Sequence, residues 1–286
     1  MATTNVNAKN FVPELWDAAI YRTLEDNLVA KKICNMKPNR ELQKFGDVIY
    51  FNGLADPTVT DYAGSVSYET LTDSQIALHI NQQKYYAFDV TDLEGVMANV
   101  DLKGSQADRA AYMLKDAVDT YILGSNTYAE ATAGTVTDAT CDSATIIGDI
   151  ALAAQYLDEN NVPSNDRFLV IPPWVMYKLK LAGIAFSINE GINGKGGMQW
   201  AKDLGFDVFV SNNVANLGSA AAPQSQCLAG SYQAIGFAEK LMKSETLRNE
   251  TAFSDHVRGL IVFGAKVIKP KELVKMDLTF AAESAI

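Results

Sequence analysis

Several residue groups in this chain have the types that chemistry would need. Gly194-Lys195-Gly196-Gly197 resembles half of a phosphate-binding loop. A working loop needs Gly-x4-Gly-Lys-[Ser/Thr] between a strand and a helix, so that backbone N–H groups cradle the phosphate. Here Lys195 is followed by Gly196, and Asn189 to Asn193 does not read as a strand, so a flexible loop is expected and no nucleotide site. A serine nucleophile elbow needs Gly-x-Ser-x-Gly, and neither Gly64-Ser65-Val66 nor Gly230-Ser231-Tyr232 supplies the second glycine. The two histidines stand far apart. His79 lies in an alternating strand-like run, and His256, beside Asp255, falls at a loop-to-strand junction. Asp89, Asp92 and Glu94 are close in sequence, but no second cluster has calcium-loop spacing, and capping or solvated turn roles are expected. Catalytic residues, cofactor and metal site are all expected to be none.

Composition narrows the function classes further. The 286 residues are 48% hydrophobic and 20% charged, enough for a sizeable core. Net charge is −10 with a pI near 4.7, which disfavours direct reading of nucleic acid or adhesion to acidic membranes. No apolar run reaches membrane-spanning length, and the first residues carry no apolar signal core, so neither membrane insertion nor export is expected. Cys34, Cys141 and Cys227 are odd in number and widely spaced, which fits a reducing compartment.

The elements themselves show where the information lies. Gly46 to Phe51 reads as a strand, and so does Ile76 to Ile80 with period-two apolar residues. Between them, from Asn52 to about Gln75, runs a polar stretch too long for a structureless connection inside a compact domain. An extended hairpin stabilised by something outside the chain solves the problem. Before it, Pro13 opens a helical pattern (Leu15, Trp16, Ala19, Ile20, Leu24, Leu28) ending near Lys31-Lys32. After it come a strand at Tyr86–Val90 and a helix expected to start at a Ser105 cap and stop at Gly124, roughly 28 Å long at about 1.5 Å per residue. Ala131 to Thr140 reads as a linker and domain boundary. A helix over 143–160, a buried strand at Arg167–Ile171, a short helix from Trp174 to Leu181, a strand at 205–210 and one or two strands within 227–237 then suggest an α/β lobe. A long strand over 257–268, a break at Pro270 and a return strand from Leu273 to Phe280 finish the chain.

Charge is distributed unevenly over these elements. Phe45 through Gln83 has no Lys or Arg but carries Asp47, Asp56, Asp61, Glu69 and Asp73, while the C-terminal strands carry Arg258, Lys266, Lys269, Lys271 and Lys275. One reading is ordinary solvated strand edges, whose exposed pairs are weak. The other is an acidic hairpin docking on a basic surface of a neighbouring subunit, helped by Val59, Tyr62, Val66 and Tyr68. Lys37, Arg40 and Lys44 form a modestly basic stretch leading into the first strand.

The ordered segments resemble the major capsid (coat) proteins of tailed bacteriophages. Phe11 to Trp16 with Asn27-Leu28-Val29 is similar to the N-terminal arm and helix, and Gly46-Asp47-Val48 with Val59 to Tyr62 to the outgoing extended loop. Leu71-Thr72-Asp73 and Asn81 to Phe88 resemble its return, and Ala110 to Leu114 with Asp119 the spine helix. Phe168 to Pro173 resembles the axial-lobe strand, and Gly264 to Val267 the peripheral strand. The resemblance implies an α+β Hong Kong 97-like fold. Its parts would be an N-terminal arm and helix (1–45), an extended hairpin loop (46–88), a peripheral domain with the spine helix and C-terminal strands (89–130 and 250–286), and an axial α/β domain (131–249). It implies a non-enzymatic subunit that assembles as hexamers and pentamers into an icosahedral shell around packaged double-stranded DNA, made in the host cytoplasm and resident in the virion. It also implies a scaffolding protein, a portal and a possible decoration protein as partners. Without a lysine between Lys44 and Lys84, welding of subunits through a loop lysine is not expected, and with the first helix at Pro13 the scaffold is expected to be a separate protein. Other readings to be separated by experiment are a tail-tube or other repeating virion subunit, a soluble α/β enzyme and a monomeric binding module.

Overall fold

The computed structural model describes residues 29–36, 48–53, 58–59, 61–62, 64, 68, 74–91, 102–182, 205–219, 222–249 and 251–282. Of the helix expected from Pro13, residues 13–28 lie outside these residues; the described part of its expected span is Val29 and α1 (Ala30–Ile33), a separate four-residue helix with Val29 at its N-cap that stops within two residues of the expected point. Gly194 to Gly197, Asp92 and Glu94 also lie outside them.

Among the described residues, ten strands form three sheets. β1 (Val48–Gly53) and β2 (Ser74–His79) make an antiparallel pair whose register runs from Val48 opposite His79 to Gly53 opposite Ser74. β3 (Gln82–Thr91), β9 (Ser254–Val267) and β8 (Ile235–Arg248) form an antiparallel three-stranded sheet in the order β3-β9-β8. The third sheet has the order β4-β10-β7-β5-β6, from β4 (Gly134–Cys141), β5 (Arg167–Ile171), β6 (Phe206–Val210), β7 (Gln224–Ser231) and β10 (Leu273–Phe280). It is mixed, because β10 is parallel to β4 and β5 to β6 while β7 opposes both β10 and β5.

Helices cover the sheets where their apolar stripes require it. The long helix α2 (Leu102–Ile122) buries Leu114, Val118 and Ile122 at four-residue spacing, and Tyr121 meets Phe263 of β9 edge-on at 5.4 Å. α3 (Ser125–Glu130) follows at once, with Gly124 at its N-cap. α4 (Ile146–Glu159) turns Ile146, Ile150, Ala153, Ala154 and Leu157 inward. Its C-terminus closes with a pair of bonds, Asn161 N to Asp158 O at 2.9 Å and Val162 N to Leu157 O at 3.0 Å, while Asn161 takes a left-handed φ of 55°. That motif satisfies carbonyls that a helix end otherwise leaves open. α5 (Pro173–Leu181) begins with proline at its first position, where a missing N–H costs nothing. β5, buried at all five residues, is the centre of the core, with Phe168, Leu169, Val170 and Ile171 between covering layers.

Several expectations are corrected. Residues 131–140 are not a linker, because they contain β4. Its Thr-rich sequence reads as polar only because β4 is an edge strand that buries just Val136 and Cys141. α2 begins at Leu102, so Ser105 is inside the helix and is not its cap. β10 does not return to β9 but inserts between β4 and β7, while β8 runs on to Arg248 beside β9. Strand membership therefore crosses the expected divide at residues 249/250. Asp89 lies in β3, within the expected strand over Tyr86–Val90, and its solvated turn role gives way to a contact with His256 of β9, whose Nδ1 meets its carboxylate.

Candidate assembly site

The hairpin has a buried root, and its described loop residues are exposed. At the root, Ile49 and Leu78 pack on Ala238 of β8, with Phe51 and Ile80 alongside. These residues share one face of the pair because Ile49 opposes Leu78 and side chains alternate along strands. Asn52 and Gln75 extend the pairing on the polar side, Gln75 Nε2 donating to Asn52 Oδ1 at 3.1 Å. The root also lies against β9. A Cβ on Gly264 would sit 2.2 Å from the carbonyl oxygen of His79, so only glycine permits this backbone approach. The sequence reading missed Ala238 and Gly264. Gly259 and Gly264, two glycines within an otherwise strand-like run, are the visible signal for the second of these.

Beyond the root, the described loop residues are open to solvent: Val59 is 96% exposed, Tyr62 76% and Tyr68 95%. Asp61 is exposed beside Tyr62. Asp56, Glu69, Asp73 and Val66 lie outside the described residues, as do Lys37, Arg40 and Lys44. Large aromatic and aliphatic side chains on a segment with no core to fill are what a docking surface exposes.

The basic residues of the C-terminal strands are placed differently from one another. Arg258 forks onto Glu245 of β8, because the register sets Glu245, Arg258 and Ala87 in one row across the sheet. Lys266 pairs with Glu130 of α3, whose other oxygen accepts from Val267 N at 3.1 Å. Lys269 bridges Glu272 at 2.8 Å and reaches Gln233 at 3.3 Å. Lys271 is exposed. Arg258, Lys266 and Lys269 thus already have acidic partners within the chain, each pair partly solvated and weak.

A second titratable group lies at the start of α4. Donor atoms of Asp138, Cys141 and Asp149 are within 4.8 Å of one another. Asp138 accepts from Thr140 N at 2.8 Å and from Thr145 Oγ1 at 2.8 Å, and Asp142 accepts from Ala144 N and Thr145 N. Burial first, then a hydrogen bond and charge repulsion from Asp138 and the charge of Asp142, push the Asp149 carboxyl up to about 7. The amide bonds hold Asp142 below its usual range. Burial drives the thiols of Cys34, Cys141 and Cys227 upward, leaving them as inert core residues.

Comparison with known proteins agrees with this geometry. The profile of the phage capsid protein family matches residues 75–276. No curated protein sequence matches at a significant level. Among solved structures, a chain of Mycobacterium phage Che8 is similar with a TM-score of 0.77 and 25% identity, over 94% of this chain and 97% of that one. The capsid of cyanophage P-SCSP1u gives a TM-score of 0.68 at 17% identity over 99% and 97% of the two chains. A chain of Gordonia phage Cozz gives 0.65 at 10% identity over 96% and 93%. The chain therefore belongs to the phage capsid protein family, a tailed-bacteriophage major capsid protein of Hong Kong 97-type fold and a structural component of the icosahedral virion shell.

Proposed function

We propose that this subunit assembles as hexamers and pentamers into a shell that encloses packaged double-stranded DNA, and that it works by packing alone, without catalysis. The observation that carries the reading is the hairpin, anchored at Ile49, Leu78 and Gly264 yet presenting Val59, Tyr62 and Tyr68 to solvent. In a shell, each tip lies across a neighbour and buries these side chains there, at roughly 25 cal/mol per Å² of apolar area. Asp61, with Asp56, Glu69 and Asp73, supplies the acidic half of the contact.

The basic half on the neighbour is Lys271 together with Arg258, Lys266 and Lys269, which exchange or share their internal carboxylates on docking. Repetition around the shell multiplies a pairwise term that is small by itself. A separate scaffolding protein, a portal and a possible decoration protein are the partners, and assembly takes place in the host cytoplasm. Lys37, Arg40 and Lys44 face the enclosed DNA and contact phosphate without reading sequence.

The test is co-expression with candidate scaffolds, followed by sedimentation and electron microscopy. Closed particles of one diameter are expected. Lysine at Asp56, Asp61, Glu69 and Asp73 together should leave the subunit folded and cut particle yield. Undiminished shells from that variant would remove the acidic hairpin from the contact, and tubes from the unaltered chain would point to a tail subunit.

A further inference from the structure

Asp119, in the last turns of α2, is 2% exposed and serves two segments about ninety residues away on either side. Its Oδ1 accepts from the backbone N–H of Val29 at 3.0 Å and of Ala30 at 2.6 Å. Its Oδ2 accepts from Ser211 Oγ at 3.3 Å and Asn213 Nδ2 at 3.4 Å. Asn213 Nδ2 also donates to Asp116 Oδ1 at 2.7 Å, and Ser211 N donates to Ile171 O at 3.1 Å, so the 211–213 loop is tied to both α2 and the end of β5. The 29–36 segment is held at its far end by a different element. Asn35 N donates to Ile235 O at 2.8 Å, Phe237 N donates to Asn35 O at 3.2 Å, and Lys31 pairs with Glu239, all on β8.

We propose that Asp119 is a positioning residue that seats the 29–36 segment and couples that seating to the five-stranded sheet, so that the position of Val29 and Ala30 is set by the sheet. A carboxylate buried this deeply is tolerable only with most of its lone pairs satisfied. The two backbone donors come from one segment and the two side-chain donors from another. Removing the Ser211 and Asn213 donors leaves the charge half-satisfied and free to turn, which weakens its hold on Val29 and Ala30. The consequence for assembly rests on the shell-forming reading above, whereas the seating is a property of the single subunit.

Cys34 reports the seating directly. It is buried in the same segment, and burial together with the Asp119 charge keeps its thiol protonated and unreactive. Cys141 and Cys227, buried in the five-stranded sheet, serve as internal controls. The experiment is native-state alkylation of the unassembled full chain with N-ethylmaleimide, with peptide mass spectrometry to resolve the three cysteines. Asp119→Asn should speed Cys34 labelling on the order of tenfold, through the loss of one charge-assisted hydrogen bond together with the charge that holds the thiol protonated, so the variant that keeps Asp119 decides the coupling. Ser211→Ala with Asn213→Ala should speed it about threefold or more, acting through the Asp119 carboxylate that they bond, while Cys141 and Cys227 keep their rates. Unchanged Cys34 in the double variant overturns the coupling, and equal acceleration of all three cysteines overturns it in favour of global loosening. Should Asp119→Asn fail to fold, the double variant decides alone. Failure of the chain to form shells under any condition would count against the shell reading and leave the labelling result intact.

Discussion

Asparagine at position 149 should stabilise the subunit at neutral pH and change little in acid. Asp149 is in the first turn of α4, where a helix dipole ordinarily favours a carboxylate. Here it faces Asp138, and its Oδ2 is buried without a partner among the described residues. The charged groups around it are Asp138 and Asp142, with Lys178 of α5 acting on Asp142 and Cys141. The charged residues of β10 are engaged elsewhere, Asp277 with Gln224 and Lys275 over the Tyr128 ring. The hydrogen bond between the two carboxyls needs a proton, and the Asp149 carboxyl holds it up to about 7 against an ordinary 3.8.

The sign follows from linkage. As pH rises from about 4, the unfolded chain releases this proton and the folded chain does not, so stability falls until both forms are ionised above about 7. Three pH units at about 1.4 kcal/mol each set a ceiling near 4 kcal/mol, and partial solvation of the side chain reduces it to about 2. Asp149→Asn carries no charge, and its Nδ2 can donate to Asp138 in place of the shared proton. At pH 8 the variant should exceed the unaltered subunit by about 2 kcal/mol, a rise in Tm on the order of 5 °C, with a difference near zero at pH 4. Calorimetry of the unassembled subunit at half-unit pH steps reads this difference. A gap that does not vary with pH, or an unaltered subunit that is the more stable at pH 8, would refute the reasoning.

Two further outcomes test the hairpin and its docking surface. Gly264→Ala forces the hairpin root off β9 and should cost about 1–3 kcal/mol. Limited proteolysis should then cut within residues 48–79 first, while hydrogen exchange keeps α4 and β5 protected. Arg258→Glu loses the row partner of Glu245, and adding Glu245→Arg should restore subunit Tm because exposed pairs carry only about 0.2–1 kcal/mol. If Arg258 also serves the neighbour, the doubly swapped subunit should still give fewer particles by electron microscopy, and full particle yield would confine that pair to the subunit.

What the sequence determined by itself is the set of elements whose pattern is local. The α4 stripe of Ile146, Ile150, Ala153, Ala154 and Leu157, the continuous apolar run of β5, and the alternation of Ile76, Leu78 and Ile80 all follow from side-chain period, which a chain carries with it. The long polar interruption after Phe51 was likewise legible, and the two strands that flank it pair as β1 and β2. Only the tertiary structure decided pairings made over long separations. β4 is a strand because β10 lends it a backbone ladder from well over a hundred residues away, and its edge position hides the apolar alternation that would have announced it. The pairing of Arg258 with Glu245 depends on strand register, and the burial of Arg167 against Asp158 and the Val162 carbonyl depends on a turn folding back. Asp119 looks like one more polar residue on a helix until α1 and the 211–213 loop bring four donors to it. Periodicity is written in neighbouring residues, whereas a hydrogen-bond partner is chosen by whichever segment the core brings near.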